Sequence, residues 1–247
     1  MTKSLLAIIC AVLMLAGMQA RSGESVQQYP LHAAARQNDV QALEQLLAKG
    51  TDIEARDASG STALLVATRE NQVNAARVLM DAGADVNAKD RINDSAYLYA
   101  GARGHLDILK MTLAHGADLQ STNRYGGTAL IPAAERGHVE TVQTLIEAGV
   151  AVDHVNKLGW TALLEAIILG DGGERHQQIV AHLLQAGADP NLADREGVTP
   201  LQHARARGYR QIASELGVAD SGIILIESSD NRYKVKLSIH LDVSQTE

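Results

Sequence analysis

The sequence predicts an all-α solenoid of about six helix-turn-helix repeats with connecting turns, followed by a C-terminal β-hairpin. Three observations carry that prediction. A core position recurs as Leu31, Leu64, Tyr97, Leu130 and Leu163, each step being 33 residues. A helix-ending glycine keeps the same step at Gly50, Gly83, Gly116 and Gly149, and both series then lengthen together, to Leu201 and Gly187. One repeat therefore carries an insertion. Third, each unit pairs two helices too short to bury their apolar faces alone, so neighbouring copies must cover them.

Residues 123–155 form the most complete unit. Gly126, Gly127 and Thr128 read as a turn, with Thr128 placed to N-cap a short helix from Ala129 towards Glu135. Gly137-His138 breaks that helix. The second helix carries Val139, Val142, Leu145 and Ile146 on one face. Gly149 follows where a left-handed C-cap is needed, a conformation that costs glycine no Cβ clash.

The first twenty residues are a separate element. Lys3 precedes an apolar run from Leu5 to Ala16, and Gly17, Met18, Gln19 and Ala20 close it. A charged start, a short apolar run and a small-residue end predict a signal peptide over 1–20, cleaved after Ala20 or, second, after Ala16. The run is shorter than the roughly 20 residues a membrane span needs, and an uncleaved anchor is the alternative. Cleavage removes Cys10, the sole cysteine, so the exported chain would hold no disulfide and no thiolate ligand. Loss of Lys3 takes the net charge from −7 to −8. A short n-region and a cysteine-free product suit a bacterial periplasm.

Residues 21–28 are polar and read as a flexible lead-in, and the repeat domain spans 29–217. The first repeat starts with Pro30 at a helix N1 position, where its missing N–H is harmless, and serves as the N-terminal cap. In the second, Asn71 replaces a helix-breaking glycine, as Asn tolerates φ > 0. The third departs most, with Asn93 for the turn glycine, Tyr97 for the core leucine, and Tyr99 and Gly101 in the inner helix. The fifth holds the insertion at 171–176, a polar glycine-rich loop. The sixth fades at Leu216-Gly217, its polar outer face suiting a C-terminal cap. Beyond it, in the tail 218–247, residues 222–227 are largely apolar and Tyr233, Val235, Leu237, Ile239, Leu241 and Val243 alternate with polar residues. This predicts a hairpin with one apolar face, a weakly ordered tail being the alternative.

A period of 33 with Thr199-Pro200-Leu201-Gln202-His203-Ala204, close to T-P-L-H-x-A, and with the ending Gly83-Ala84-Asp85-Val86-Asn87-Ala88, resembles the ankyrin-repeat family from about residue 29 to 217. That resemblance implies a binding scaffold and not an enzyme. The residues agree. His176 and His182 are six apart, a poor match to the i, i+4 spacing of two ligands on one helix face, and His105 and His138 sit at the family's Gly-His turns. Nucleophile-elbow, paired-carboxylate and nucleotide motifs are missing. No catalytic residue, cofactor or metal is expected. The formal charge of −7 argues against nucleic-acid phosphate.

Carrying the family's binding positions over gives a pattern. The second position of each unit reads Ala58, Arg91, Arg124, Lys157 and Arg195, and the inner-helix position before the break reads Glu70, Arg103, Arg136, Leu169 and Arg207. Positive charge thus gathers along one stripe of an acidic protein. Beside it stand Tyr125, Leu158, Trp160 and Ile168, apolar residues at positions expected to be exposed. The expected partner-binding set is Arg91, Arg103, Arg124, Tyr125, Arg136, Lys157, Leu158, Trp160, Ile168 and Arg195, centred on repeats four and five. The expected function is a non-catalytic, exported, monomeric scaffold gripping a protein with an acidic patch, as inhibitor, enzyme helper or immunity factor, with no integral membrane segment after cleavage. The alternative is an envelope structural protein that assembles through its C-terminal hairpin.

Overall fold

The computed structural model of the chain describes residues 29–220, 223–225 and 236–238. The expected signal peptide, the lead-in and most of the tail lie outside the described residues.

Twelve helices occupy the described residues, in six consecutive pairs: α1 (Pro30–Gln37) and α2 (Val40–Ala48), α3 (Ala63–Arg69) and α4 (Val73–Asp81), α5 (Ala96–Arg103) and α6 (Leu106–Ala114), α7 (Leu130–Glu135) and α8 (Val139–Glu147), α9 (Ala162–Ile168) and α10 (Glu174–Gln185), α11 (Pro200–Ala206) and α12 (Arg210–Asp220). The first helix of each pair packs on the first helices of neighbouring pairs, and the second helices stack likewise. The result is a two-layered helical solenoid. Its core is a ladder of small aliphatics, with Leu31, Leu64, Leu130 and Leu163 buried at the recurring position and Tyr97 fully buried among them. Small side chains suit the inner helices, because bulk there would push adjacent repeats apart. At Gly101 the approach of the next repeat leaves no room for a side chain, since an added Cβ would lie 2.8 Å from that of Ala129.

Local signals place the ends. Thr62, Ser95, Thr161 and Thr199 each accept a hydrogen bond from the N–H three residues on, capping α3, α5, α9 and α11. Thr128 does not. Its helix begins one residue later at Leu130, with no side-chain cap, and the buried Thr128 hydroxyl has no partner. Pro132 explains the later start. In the other repeats the residue at that position donates its N–H to the capping residue's carbonyl, as Val66 does to Thr62; proline has no N–H to give. Asn38, Asn71 and Asn93 adopt φ of 56°, 53° and 62°, the left-handed conformation expected of the latter two.

The insertion is folded onto the next repeat. Tyr209 donates its hydroxyl to the Gly170 carbonyl (2.9 Å), and the buried His176 bridges the Asp171 carboxylate (2.7 Å) and the Glu135 carbonyl (3.0 Å). Beyond α12, β1 (Ile223–Leu225) and β2 (Lys236–Ser238) pair antiparallel, Ile224 opposite Leu237; the expected turn at 228–231 and the outer alternating residues lie outside the described residues.

Candidate functional site: a concave cleft across the third to fifth repeats

Each unit opens on Asp57, Asp90, Asn123, Asn156 or Asp194, and one side-chain oxygen of each accepts from the N–H groups two and four residues on. For Asn123 these are Tyr125 (2.9 Å) and Gly127 (3.1 Å), for Asn156 Leu158 (2.9 Å) and Trp160 (3.1 Å). This turn geometry projects the third residue of each unit. At the ends of the array that residue is polar, Ser59 and Glu196. In the three middle repeats it is apolar and open to solvent: Ile92 (46% exposed), Tyr125 (56%) and Leu158 (50%).

Behind Tyr125 and Leu158 lies a cleft of about 390 Å³. Leu98, Ile131 and Pro132 supply buried apolar surface, and Leu158 and Leu169 stand exposed at its edge. Tyr99 lines it with the Arg69 and Arg103 guanidinium groups 5.7 and 5.5 Å from its ring. Arg124 lies 5.1 Å over the Tyr125 ring. Arg136 donates to the Ala102 carbonyl (2.7 Å) and approaches Glu135 at 3.9 Å.

Of the expected binding residues, the cleft brings together Arg103, Arg124, Tyr125, Arg136 and Leu158. Arg91, Lys157, Trp160, Ile168 and Arg195 do not line it. Trp160 and Ile168 are half-buried. The side chains of Arg91, Lys157 and Arg195 lie over Gly60, Gly126 and Gly159 of the preceding turns. Lys157 and Arg195 also donate across the repeat boundary, to the carbonyls of Arg124 (2.9 Å) and Lys157 (2.6 Å). Arg124 breaks this pattern. Its predecessor at the glycine position is Asn93, whose side chain leaves no bare backbone to lie across, and Arg124 sits on Tyr125 instead.

The cleft holds residues the sequence reading passed over, Asp94, Glu135 and Glu165, with Leu98 and Pro132, and Leu169, which was read in the inner-helix column but left out of the expected binding set. Two columns contained the missing signal. Positions 92, 125 and 158 are equivalent and apolar, while 66, 99, 132, 165 and 203 read Val, Tyr, Pro, Glu and His where one buried-face residue type would suffice. Glu165 is 6% exposed and accepts from Asn156 Nδ2 at 2.7 Å. Burial, then the nearby Glu135 carboxylate, push its pKa up to about 7, against the Asn156 hydrogen bond and Arg136. Burial raises Asp94 too, aided by Asp90 and opposed by Arg124 and Arg69. Chemically, the site offers apolar surface, exposed guanidinium groups and internally paired acids. Among the described residues no group of three or more His, Cys, Asp or Glu side chains is arranged to hold a metal, and no helix is long and apolar enough to cross a membrane.

Comparison with known proteins bears on the fold. A family described as "Ankyrin repeats (3 copies)" matches residues 6–90 and 97–194. An ankyrin repeat domain of Acinetobacter baumannii AYE, solved by crystallography, is 69% identical, with a TM-score of 0.77 over 78% of this chain and 98% of its own. The crystal structure of a second ankyrin repeat protein is 42% identical, with a TM-score of 0.73 over 76% of this chain and 96% of its own. The ankyrin repeat protein YahD of Escherichia coli (strain K12) is 54% identical over 52 residues, which are 21% of this chain; the match spans about a quarter (26%) of that relative's length.

Proposed function

The chain belongs to the ankyrin-repeat family, and from that premise we propose that it is a non-catalytic, exported scaffold binding a partner protein on its concave face. Ankyrin repeats generally mediate protein–protein interaction, and their proteins are typically non-enzymatic binding scaffolds. The observation that carries the specific reading is the exposed row Ile92, Tyr125 and Leu158, of which the last two line the 390 Å³ cleft. Three apolar side chains held on rigid turns lose little conformational freedom on binding, which suits them as anchors. The partner presents an acidic surface, since arginines line the cleft. Inhibition, assistance of a secreted enzyme and immunity to a toxin all fit a scaffold of this kind. Export rests on the charged, apolar, small-residue order of residues 1–20, and N-terminal sequencing of the mature protein tests it; a mature chain retaining Met1 overturns it.

The binding reading is tested by placing a photo-cross-linking residue at position 125 or 158 of the full chain, with position 77 on the outer helix α4 as control. Capture of one defined protein from 125 and 158 and not from 77 is expected. The captured protein, once purified, should bind Tyr125→Ala at least tenfold more weakly than the parent, the usual scale of a hot-spot loss. Equal binding overturns the assignment of the cleft. The antiparallel pairing of β1 and β2 favours a second reading, assembly through the tail. Deleting residues 222–247 separates them: capture from position 125 survives under the first reading and is lost with assembly under the second.

A further inference from the structure

We infer that the cleft reads its partner through a short acidic segment, a carboxylate seated between Arg103 and Arg124 with an adjacent apolar side chain against Tyr125 and Leu158. This rests on the protein-binding reading above and names the chemistry of what enters the site.

The charges in the cleft select the sign of the ligand. Every acid lining it has a partner within the chain: Asp94 lies 3.6 Å from Arg69, Glu135 3.9 Å from Arg136, and Glu165 accepts from Asn156. None of them awaits a cation from outside. The basic residues divide differently. Arg136, Lys157 and Arg195 donate to main-chain carbonyls of the preceding repeat. Arg103 and Arg124 have no carboxylate within 4.0 Å among the described residues; each lies against a tyrosine ring, Arg124 also interacting with the Tyr125 hydroxyl and, at longer range, with Asp94 and Asp90, and both are exposed.

A guanidinium laid on a ring keeps its N–H edge free, and that edge matches the two oxygens of a carboxylate. The ring also limits the rotamers the arginine would lose on binding, so less ordering opposes the contact. Tyr125 serves twice, as the platform of Arg124 and as apolar surface next to Leu158. A carboxylate and an apolar side chain adjacent in one segment therefore meet complementary groups together. The volume of the cleft is at the lower end of the range for small-ligand pockets, about 300–1,000 Å³, and so admits side chains of a segment more readily than a convex folded surface.

The test uses the full chain and three terminally capped, fluorescein-labelled peptides of about ten residues, in which leucine alternates with glutamate, glutamine or lysine. Fluorescence anisotropy at low salt is expected to show the glutamate peptide binding at least tenfold more tightly than the other two. Arg103→Gln and Arg124→Gln should each weaken it about fivefold or more, Arg77→Gln should leave it unchanged, and salt should weaken it further. Unchanged thermal unfolding of the variants shows that the loss is not one of folding. Equal affinity for the glutamine peptide, preference for the lysine peptide, or full affinity in the Arg103→Gln/Arg124→Gln double variant overturns the inference. The cross-linking experiment keeps the two proposals apart. Undiminished capture from position 125 in that double variant removes the acidic-segment idea and leaves the scaffold reading, whereas no capture at all removes the scaffold reading.

Discussion

Asn156 donates its side-chain amide to Glu165 across 2.7 Å, joining the tip of the fifth repeat to the inner helix α9 beneath it. The same pair of positions in the sixth repeat is Asp194 and His203, at 2.7 Å. The fifth repeat thus holds a buried acid with an uncharged partner. Its pKa of about 7 lies above the ordinary 4.5, so the folded chain keeps a proton that the unfolded chain has released. Stability attributable to Glu165 is therefore fully present below about pH 4.5, declines as pH rises towards 7, and stays low above it. At about 1.4 kcal/mol per pKa unit the loss is of order 3–4 kcal/mol. Glu165→Gln keeps the acceptor for Asn156 and removes the titration. Urea unfolding at pH 5 and pH 8 should show the variant close to the parent at the lower pH and more stable at the higher; parallel behaviour at both would refute the raised pKa.

The two threonines at equivalent helix starts should respond oppositely to the loss of a hydroxyl. Thr161 caps α9 through Leu164 N–H, while the Thr128 hydroxyl is buried without a partner. Thr161→Val is expected to cost about 1 kcal/mol, the usual value of an N-cap. Thr128→Val should cost nothing or stabilise, because an unsatisfied buried hydroxyl carries a desolvation penalty. Chemical denaturation of the two variants side by side decides the matter, and equal destabilisation would contradict an unpaired Thr128 hydroxyl.

Gly172, in the insertion, adopts φ +69°, and a Cβ there would run into the Tyr209 ring. Gly172→Ala combines a left-handed backbone penalty of about 1–2 kcal/mol with that clash. Tyr209→Phe removes only the hydrogen bond to Gly170 and should cost about 1 kcal/mol. Thermal unfolding should rank the alanine variant below the phenylalanine variant. The reverse order would mean that the loop moves freely away from the sixth repeat.

Asn93 is expected to control Arg124 from the neighbouring repeat. Asn93→Gly restores the bare turn over which Arg91, Lys157 and Arg195 lie in their own settings, and so draws Arg124 away from Tyr125. Glycine accepts the observed φ of 62° without strain. Affinity for the glutamate peptide should fall several-fold while the unfolding temperature barely moves. Unaltered affinity would show that Arg124 is placed by Tyr125 alone.

Much of the architecture was legible because a repeat array is built from local rules. Each unit touches only its neighbours, so a 33-residue step, a capping threonine, a left-handed asparagine and a helix-ending glycine are each readable within a few residues of chain. The stacked core at Leu31, Leu64, Tyr97, Leu130 and Leu163 and the left-handed turns at Asn71 and Asn93 came directly from that pattern. Even the late helix start after Thr128 was encoded locally, four residues away in Pro132. Which charges remain available to a ligand was a different kind of question. Arg124, Lys157 and Arg195 occupy one column of the sequence, yet two of them donate to a neighbour's carbonyl and the third lies on a tyrosine ring. That outcome depends on whether the preceding turn, one repeat earlier, offers a glycine or Asn93. Glu165 likewise is an ordinary glutamate in sequence, and its retained proton arises from burial and from Glu135 on the adjacent helix. Trp160, conspicuous by type, is half-buried outside the cleft, while Tyr99 and Leu169 line it. The sequence by itself determined the solenoid, its register and the face that gathers arginine, because those follow from short-range backbone and hydrophobic periodicity. Only the tertiary structure decided which of those side chains are engaged and which are open, because desolvation and hydrogen bonding are properties of the space between repeats.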